Sequence, residues 1–165
     1  MDILIAGRGG QGAVTAARFL ATAAFHEGKE VQAFPHFGIE RRGAPTYAFL
    51  RIDKKPILIR SEIEKPDFAI VLDPMMINDA RVVKAEKIYI NSSRSIKGTS
   101  HFDGTSIALK IFGSDIVNTI MSAFFSIKTK IISKKALIGA CSELWHADNL
   151  NKNIKAIEET FSKLR

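Results

Sequence analysis

The opening of the chain restricts the fold more than any other feature. Met1-Asp-Ile-Leu-Ile-Ala6 is a short apolar run that stops at Gly7-Arg8-Gly9-Gly10-Gln11-Gly12, and from Gln11 to His26 Ala, Val, Phe and Leu recur at helical spacing until Gly28. This spacing predicts strand, glycine turn and helix. Glu30-Val-Gln-Ala-Phe34 reads as a second strand, so residues 2–34 predict a βαβ unit with parallel strands.

The remainder extends that theme. Thr46–Ile52 and Pro56–Arg60 flank Asp53-Lys54-Lys55, a spacing that predicts a β-hairpin and an antiparallel addition to the sheet. Phe68–Leu72 and Lys87–Asn91 read as buried strands separated by a short helix, followed by a polar, Ser-rich loop over 91–100. Helices are expected over Thr105–Phe112, Asp115–Ser126, from a Ser133 cap to about His146, and over Asn151–Leu164 with Ile154, Ile157, Phe161 and Leu164 on one face. The expectation is an α/β single-domain three-layer sandwich over 1–165, with a mixed, mostly parallel sheet, a β-hairpin and helices on both faces. At 165 residues, 46% of them hydrophobic and 25% charged, the chain can build such a core without staples.

Composition also excludes some chemistry. The lone cysteine, Cys141, cannot supply a disulfide framework, a CxxC pair or a thiolate-ligated iron–sulfur cluster. It falls on the apolar side of its helix near Leu137, Ala140 and Leu144, which reads as a buried structural thiol, and Trp145 reads as core or interface. The four histidines, His26, His36, His101 and His146, lack zinc spacing. Apolar runs fall short of the about 20 residues that span a bilayer, and the MDILIAG start lacks a basic leader, so a cytoplasmic protein away from membranes is expected. The net charge of +7 favours anionic partners, but the basic residues are dispersed and no nucleic-acid-binding cluster stands out.

Two stretches carry candidate chemistry. Gly7, Arg8, Gly9, Gly10, Gln11 and Gly12 match GxGxxG between a strand and a helix, where glycines let the backbone approach an oxyanion and the helix offers free N–H groups. They are the candidate cofactor-binding residues, although the same glycines also serve close strand–helix packing. A nicotinamide cofactor would need an acidic residue ending the second strand, and Phe34-Pro35-His36 stands there; a P-loop would need Lys-Ser/Thr where Ala13-Val14 follow Gly12. The second stretch, His36-Phe37-Gly38-Ile39-Glu40-Arg41-Arg42-Gly43, sets a titratable ring, a carboxylate and two guanidiniums beside glycines, as a loop gripping an anion or a partner does. His36, Glu40, Arg41 and Arg42 are the candidate interface or anion contacts, with Phe34 and Phe37 as aromatic anchors. No catalytic residue or metal ligand is assigned.

Together, Gly7–Gly12, Phe34-Pro-His-Phe-Gly-Ile-Glu-Arg-Arg-Gly-Ala-Pro45 and Arg51-Ile52 resemble the gamma subunit of pyruvate (2-oxoacid):ferredoxin oxidoreductase. The resemblance runs on through Lys55-Pro56-Ile57, Ser61-Glu62-Ile63, Lys65-Pro66-Asp67, Asp73-Pro74 and Asn118-Thr119 with Met121, while Phe124-Phe125 stand where the family usually has smaller residues. It implies a non-catalytic subunit of an enzyme that converts a 2-oxoacid and coenzyme A to acyl-CoA, carbon dioxide and reduced ferredoxin, or the reverse. It also implies alpha, beta and delta partner chains, thiamine diphosphate and iron–sulfur clusters on those partners, and ferredoxin met through the complex. Pyruvate is the first expected substrate and a branched-chain 2-oxoacid (2-ketoisovalerate) the second. An independent NAD(P)-binding protein is the alternative from another class.

Overall fold

A computed structural model of the chain describes residues 1–36 and 43–164. Its strands are β1 (Asp2–Arg8), β2 (Glu30–Pro35), β3 (Pro45–Asp53), β4 (Phe68–Val71), β5 (Lys87–Asn91) and β6 (Thr99–Phe102), in the spatial order β2-β3-β1-β4-β5-β6. β1, β4, β5 and β6 pair in parallel, whereas β3 pairs antiparallel with both β1 and β2. The mixed, mostly parallel sheet is therefore as the sequence predicts.

The helices are α1 (Ala13–Phe25), α2 (Gly104–Phe112), α3 (Asn118–Thr129), α4 (Lys134–Leu144) and α5 (Ala147–Lys163). Their ends follow local chemistry. Asp103 caps α2 by accepting from Ser106 N at 3.0 Å, and Gly113 ends it at φ 70°, a left-handed conformation that costs glycine least. Ser133 caps α4 through Ala136 N at 3.2 Å.

Strand alternation sorts the core into two layers. Ile3, Ile5, Leu50, Ile70 and Tyr89 point to one face, which the five α-helices cover. Phe124 and Phe125 of α3 are fully buried there, Phe125 lying edge-on to Phe68 and Tyr89 with ring centres 5.5 and 5.4 Å apart. Each such burial contributes about 1.5–3 kcal/mol. Leu4, Ala6, Phe49, Ala69, Val71 and Ile90 point to the other face. Its cover is thinner: the 3-10 helices Pro74–Met76 and Val82–Lys84, with Ile63 from the 54–67 loop.

Three local expectations are corrected. Residues 56–60 form no strand, and the antiparallel pairing joins β3 to β2 instead, with Glu30 opposite Asp53 and Pro35 opposite Ala48. β1 and β2 do run in the same direction, yet β3 lies between them, so they are not neighbours. The polar run at 91–100 ends in β6, whose short Thr-Ser-His-Phe sequence carries no apolar alternation.

Candidate functional site

The glycine turn closes the carboxyl end of β1, where open parallel sheets place their ligand sites. Its residues divide into three roles. Gly7 permits close packing: a Cβ there would lie 3.3 Å from Leu72 Cβ and 3.2 Å from Gln11 Oε1. Gly9 stitches the turn to the strand beyond, donating to Ala44 O at 2.8 Å and accepting from Gly43 N at 3.3 Å. Gly10 and Gly12 are the left-handed residues, at φ 99° and 83°, that swing the chain into α1.

Arg8 and Gln11 point away from the helix end. Gln11 Oε1 accepts from Arg8 N at 2.7 Å, and Gln11 Nε2 donates to Asp73 Oδ2 at 3.3 Å. Arg8 Nε lies 3.2 Å from the same Asp73 oxygen, while Asp73 Oδ1 accepts from Met75 N at 2.9 Å. Asp73 thus ties the turn to the segment after β4. The sequence singled it out only within Asp73-Pro74 of the family resemblance and gave it no place at the turn, but β1 and β4 are parallel neighbours, so their carboxyl ends must meet.

Gly10 and Gly12 line a cavity of about 400 Å³ with Thr15, Asn118, Trp145 and Lys152. Volumes of roughly 300–1,000 Å³ are usual for small-molecule sites. α1 begins here with no side-chain cap and no acidic residue in its first turn, leaving its N–H groups and the positive end of its dipole directed at the cavity. Lys152 adds a cation, 2.7 Å from Asp148 Oδ2 on the same helix. Asn153, also in the wall, is spoken for: Thr119 Oγ1 donates to its Oδ1 at 2.5 Å and its Nδ2 donates to Asn149 O at 2.8 Å. Trp145 packs edge-on to Phe19 at 5.1 Å, so its ring is both core and cavity wall. Asn149, Lys152 and Asn153 come from α5, far along the chain from the glycines, and only the tertiary fold reveals them.

His36 ends β2 in a different network. Its Nδ1 lies 2.7 Å from Glu62 Oε1 and its Nε2 lies 3.3 Å from Arg81 Nη2. Arginine can only donate, so Nε2 accepts and Nδ1–H donates to Glu62. Arg81 also donates to Glu62 Oε2 at 3.2 Å and stacks over Tyr47, 5.0 Å from the ring centre. Partial desolvation raises the Glu62 pKa, but the hydrogen bonds from His36 and Arg81 outweigh it and hold the carboxyl below its usual range. Burial, reinforced by a hydrogen bond to Asp79 Oδ2 at 2.5 Å, pushes the Tyr47 phenol up to about 12. Glu40, Arg41 and Arg42, together with Phe37, lie outside the described residues.

The dinucleotide reading does not survive this geometry. In that fold the ribose acceptor ends the strand next to β1. Here β1's neighbour on that side is antiparallel β3, with Arg8 opposite Pro45, and β2 ends one strand further away. What remains is an α/β domain with an uncapped helix terminus facing a polar cavity and a glycine turn bound to its neighbouring strands.

Comparison with known proteins identifies that class. The sequence profile of the pyruvate ferredoxin/flavodoxin oxidoreductase family matches residues 2–163. The common gamma subunit of the pyruvate/ketoisovalerate oxidoreductases of Thermococcus kodakarensis is 42% identical over 178 aligned positions, covering 99% of this chain and 96% of that one. Pyruvate synthase subunit PorC of Methanocaldococcus jannaschii is 41% identical over 172 positions, covering 99% and 97%. The crystal structure of the pyruvate oxidoreductase subunit PORC of Thermotoga maritima superposes with a TM-score of 0.84 at 30% identity, covering 98% and 95%. The chain belongs to the pyruvate ferredoxin/flavodoxin oxidoreductase family, on its gamma-subunit branch.

Proposed function

We propose that residues 1–165 act as one gamma domain within a cytoplasmic, multi-subunit 2-oxoacid:ferredoxin oxidoreductase, with pyruvate as substrate. The complex converts the 2-oxoacid and coenzyme A to acyl-CoA, carbon dioxide and reduced ferredoxin, or runs the reverse synthesis. The observation that carries this reading is the end-to-end likeness to gamma and PorC chains at 41–42% identity. Alpha, beta and delta chains are the proposed partners; they hold thiamine diphosphate and the iron–sulfur clusters, and ferredoxin is met through them. No helix among the described residues is long and apolar enough to cross a membrane.

This chain's own contribution is assembly and contact with coenzyme A. The cavity beside Gly10 and Gly12 fits an anionic phosphate on two physical grounds: the uncapped start of α1 and the nearby Lys152. Gly10 leaves open space where a Cβ would stand, so the backbone can approach a ligand closely. Arg8 and Gln11 support the turn from behind through Asp73. The 36–42 stretch, with His36 fixed by Glu62 and Arg81, serves as the intersubunit or anion contact.

Thermococcus kodakarensis uses a gamma chain named as common to pyruvate and ketoisovalerate enzymes, which makes a branched-chain 2-oxoacid the second substrate to test. The test is purification of the tagged chain from its own anaerobic lysate, identification of bound chains, and a viologen-linked assay with pyruvate and with 2-ketoisovalerate. Co-eluting oxidoreductase chains with coenzyme A-dependent activity are expected. A chain that elutes alone without that activity overturns the reading. Exchange of Lys152 for alanine is expected to raise the apparent KM for coenzyme A while the complex stays assembled.

A further inference from the structure

Three donors converge on one carboxylate at the end of β4. Asp73 Oδ1 accepts from Met75 N at 2.9 Å, while Oδ2 faces Gln11 Nε2 at 3.3 Å and Arg8 Nε at 3.2 Å. Only a group with acceptors on both sides satisfies all three, because an amide here would turn its NH2 toward one set of donors or the other. The contact also decides how Gln11 is turned. With Nε2 given to Asp73, Oε1 is left to accept from Arg8 N at 2.7 Å, and the main chain adds Gln11 N donating to Arg8 O at 2.9 Å. Gly7 leaves the room for this, since a Cβ there would lie 3.2 Å from Gln11 Oε1. One side chain thus closes the arch over residues 8–11 that carries Gly9 and Gly10 into Gly12 and α1. Around Gly10 nothing among the described residues lies within 4 Å of where a Cβ would stand, so packing does not hold the arch there.

We propose that Asp73 is a positioning residue for the reaction of the complex. Through Gln11 it holds the arch in the form in which the first N–H groups of α1 meet a phosphate of coenzyme A, and so it sets the apparent KM for coenzyme A without touching it. The cavity wall takes in Gly10 and Gly12 but none of Arg8, Gln11 and Asp73. Their effect on a ligand there passes through the backbone they fix. A turn already in its binding form adds no ordering cost when the anion arrives, whereas a loosened one does. Charge and geometry make opposite forecasts. Removing a carboxylate beside an anion site would by charge alone tighten binding, so a rise in KM on its removal reports geometry. The contact between residues 11 and 73 also has a polarity, an amide donating to a carboxylate. Gln11→Glu sets two carboxylates against each other, and adding Asp73→Asn restores one donor and one acceptor with the direction reversed and the net charge kept. The carboxylate brought to position 11 still accepts from Arg8 N.

The proposal rests on the coenzyme A reading above, and one series of variants separates the two. The complex is purified from its own host with the tagged chain as wild type, Asp73→Ala, Gln11→Glu, Gln11→Glu/Asp73→Asn, Lys152→Ala and Ser133→Ala. The last removes the α4 cap, which lies by Glu27 beyond the opposite end of α1. Viologen-linked assays give KM and kcat for coenzyme A and for pyruvate, and circular dichroism gives the Tm of each isolated chain. Asp73→Ala and Gln11→Glu should each raise the apparent KM for coenzyme A about tenfold, the equivalent of one lost charge-assisted hydrogen bond, with kcat at saturating coenzyme A and KM for pyruvate unchanged. Gln11→Glu/Asp73→Asn should return the KM for coenzyme A toward the wild-type value. Ser133→Ala should lower Tm and leave both KM values in place. An unchanged or lowered KM for coenzyme A in Asp73→Ala, no recovery in the paired variant, an equal rise with Ser133→Ala, or loss of partner chains with Asp73→Ala overturns the proposal. Where Lys152→Ala alone raises that KM, the coenzyme A reading stands without it. If neither Lys152→Ala, Asp73→Ala nor Gln11→Glu moves the KM for coenzyme A, the coenzyme A reading falls and the proposal with it.

Discussion

Gly12→Ala tests whether the turn is held by one steric contact. Gly12 sits at φ 83° and ψ 36°, and a left-handed conformation costs a residue with a Cβ about 1–2 kcal/mol. The new Cβ would also lie 2.6 Å from Asn118 Nδ2 and 3.2 Å from Asn118 Cγ, so the amide must move. That movement breaks the bond from Thr119 N to Asn118 Oδ1 at 2.8 Å, a loss of about 1 kcal/mol. The sum is about 2–3 kcal/mol, or about 4–12 °C in Tm for a domain of this size. Gly10→Ala provides the comparison, because its Cβ would enter open space and only the backbone cost of about 1–2 kcal/mol applies. Thermal unfolding of the purified chain followed by circular dichroism measures both. In an Asn118→Ala background Gly12→Ala should fall to the backbone cost alone. Equal cost of Gly12→Ala in the two backgrounds, or a cost no greater than that of Gly10→Ala, refutes the steric argument.

Two further predictions concern titration. Cys141 is fully buried and burial pushes its thiol up to about 12, so the folded chain should not react with a disulfide reagent at about pH 8, while the chain unfolded in guanidinium should release one thiol equivalent. Cys141 and Tyr47 both keep their protons to about 12 in the folded state, against ordinary values of 9.0 and 10.0. The unfolded chain therefore loses those protons first, and their stabilising contribution, complete below about pH 9, declines as pH rises toward about 12. Urea unfolding across that window should show falling stability, and Tyr47→Phe should make the decline shallower above about pH 10.

The sequence revealed the elements that repeat a simple period. α1 and α5 show helical spacing, and β4 and β5 are short apolar runs, so each emerged within a few residues of its place. The failures have physical causes. Residues 56–60 are an apolar run spaced from β3 like the second arm of a hairpin, but Arg51 binds Ser61 O, Asp53 binds the N–H groups of Lys54 and Lys55, and β2 takes the edge of β3 instead. β6 has only Phe102 as an apolar residue and pairs through its backbone, which no side-chain pattern reports. At the site the glycine turn was legible because positive φ demands glycine. Asp73 and Asn118 stood out only as parts of the family resemblance and Lys152 not at all, because sheet order and helix packing bring the three to the turn from separate elements.

The paired hydrogen bonds between Gly9 and residues 43–44 have a mechanical consequence. With Arg8 registered against Pro45, the turn and the start of β3 behave as one lever, pivoting on backbone contacts that no side-chain substitution removes. The turn is joined to residues 43–45 by main-chain atoms, so the position of Gly9 and that of the start of β3 are set together and not through side-chain rotamers.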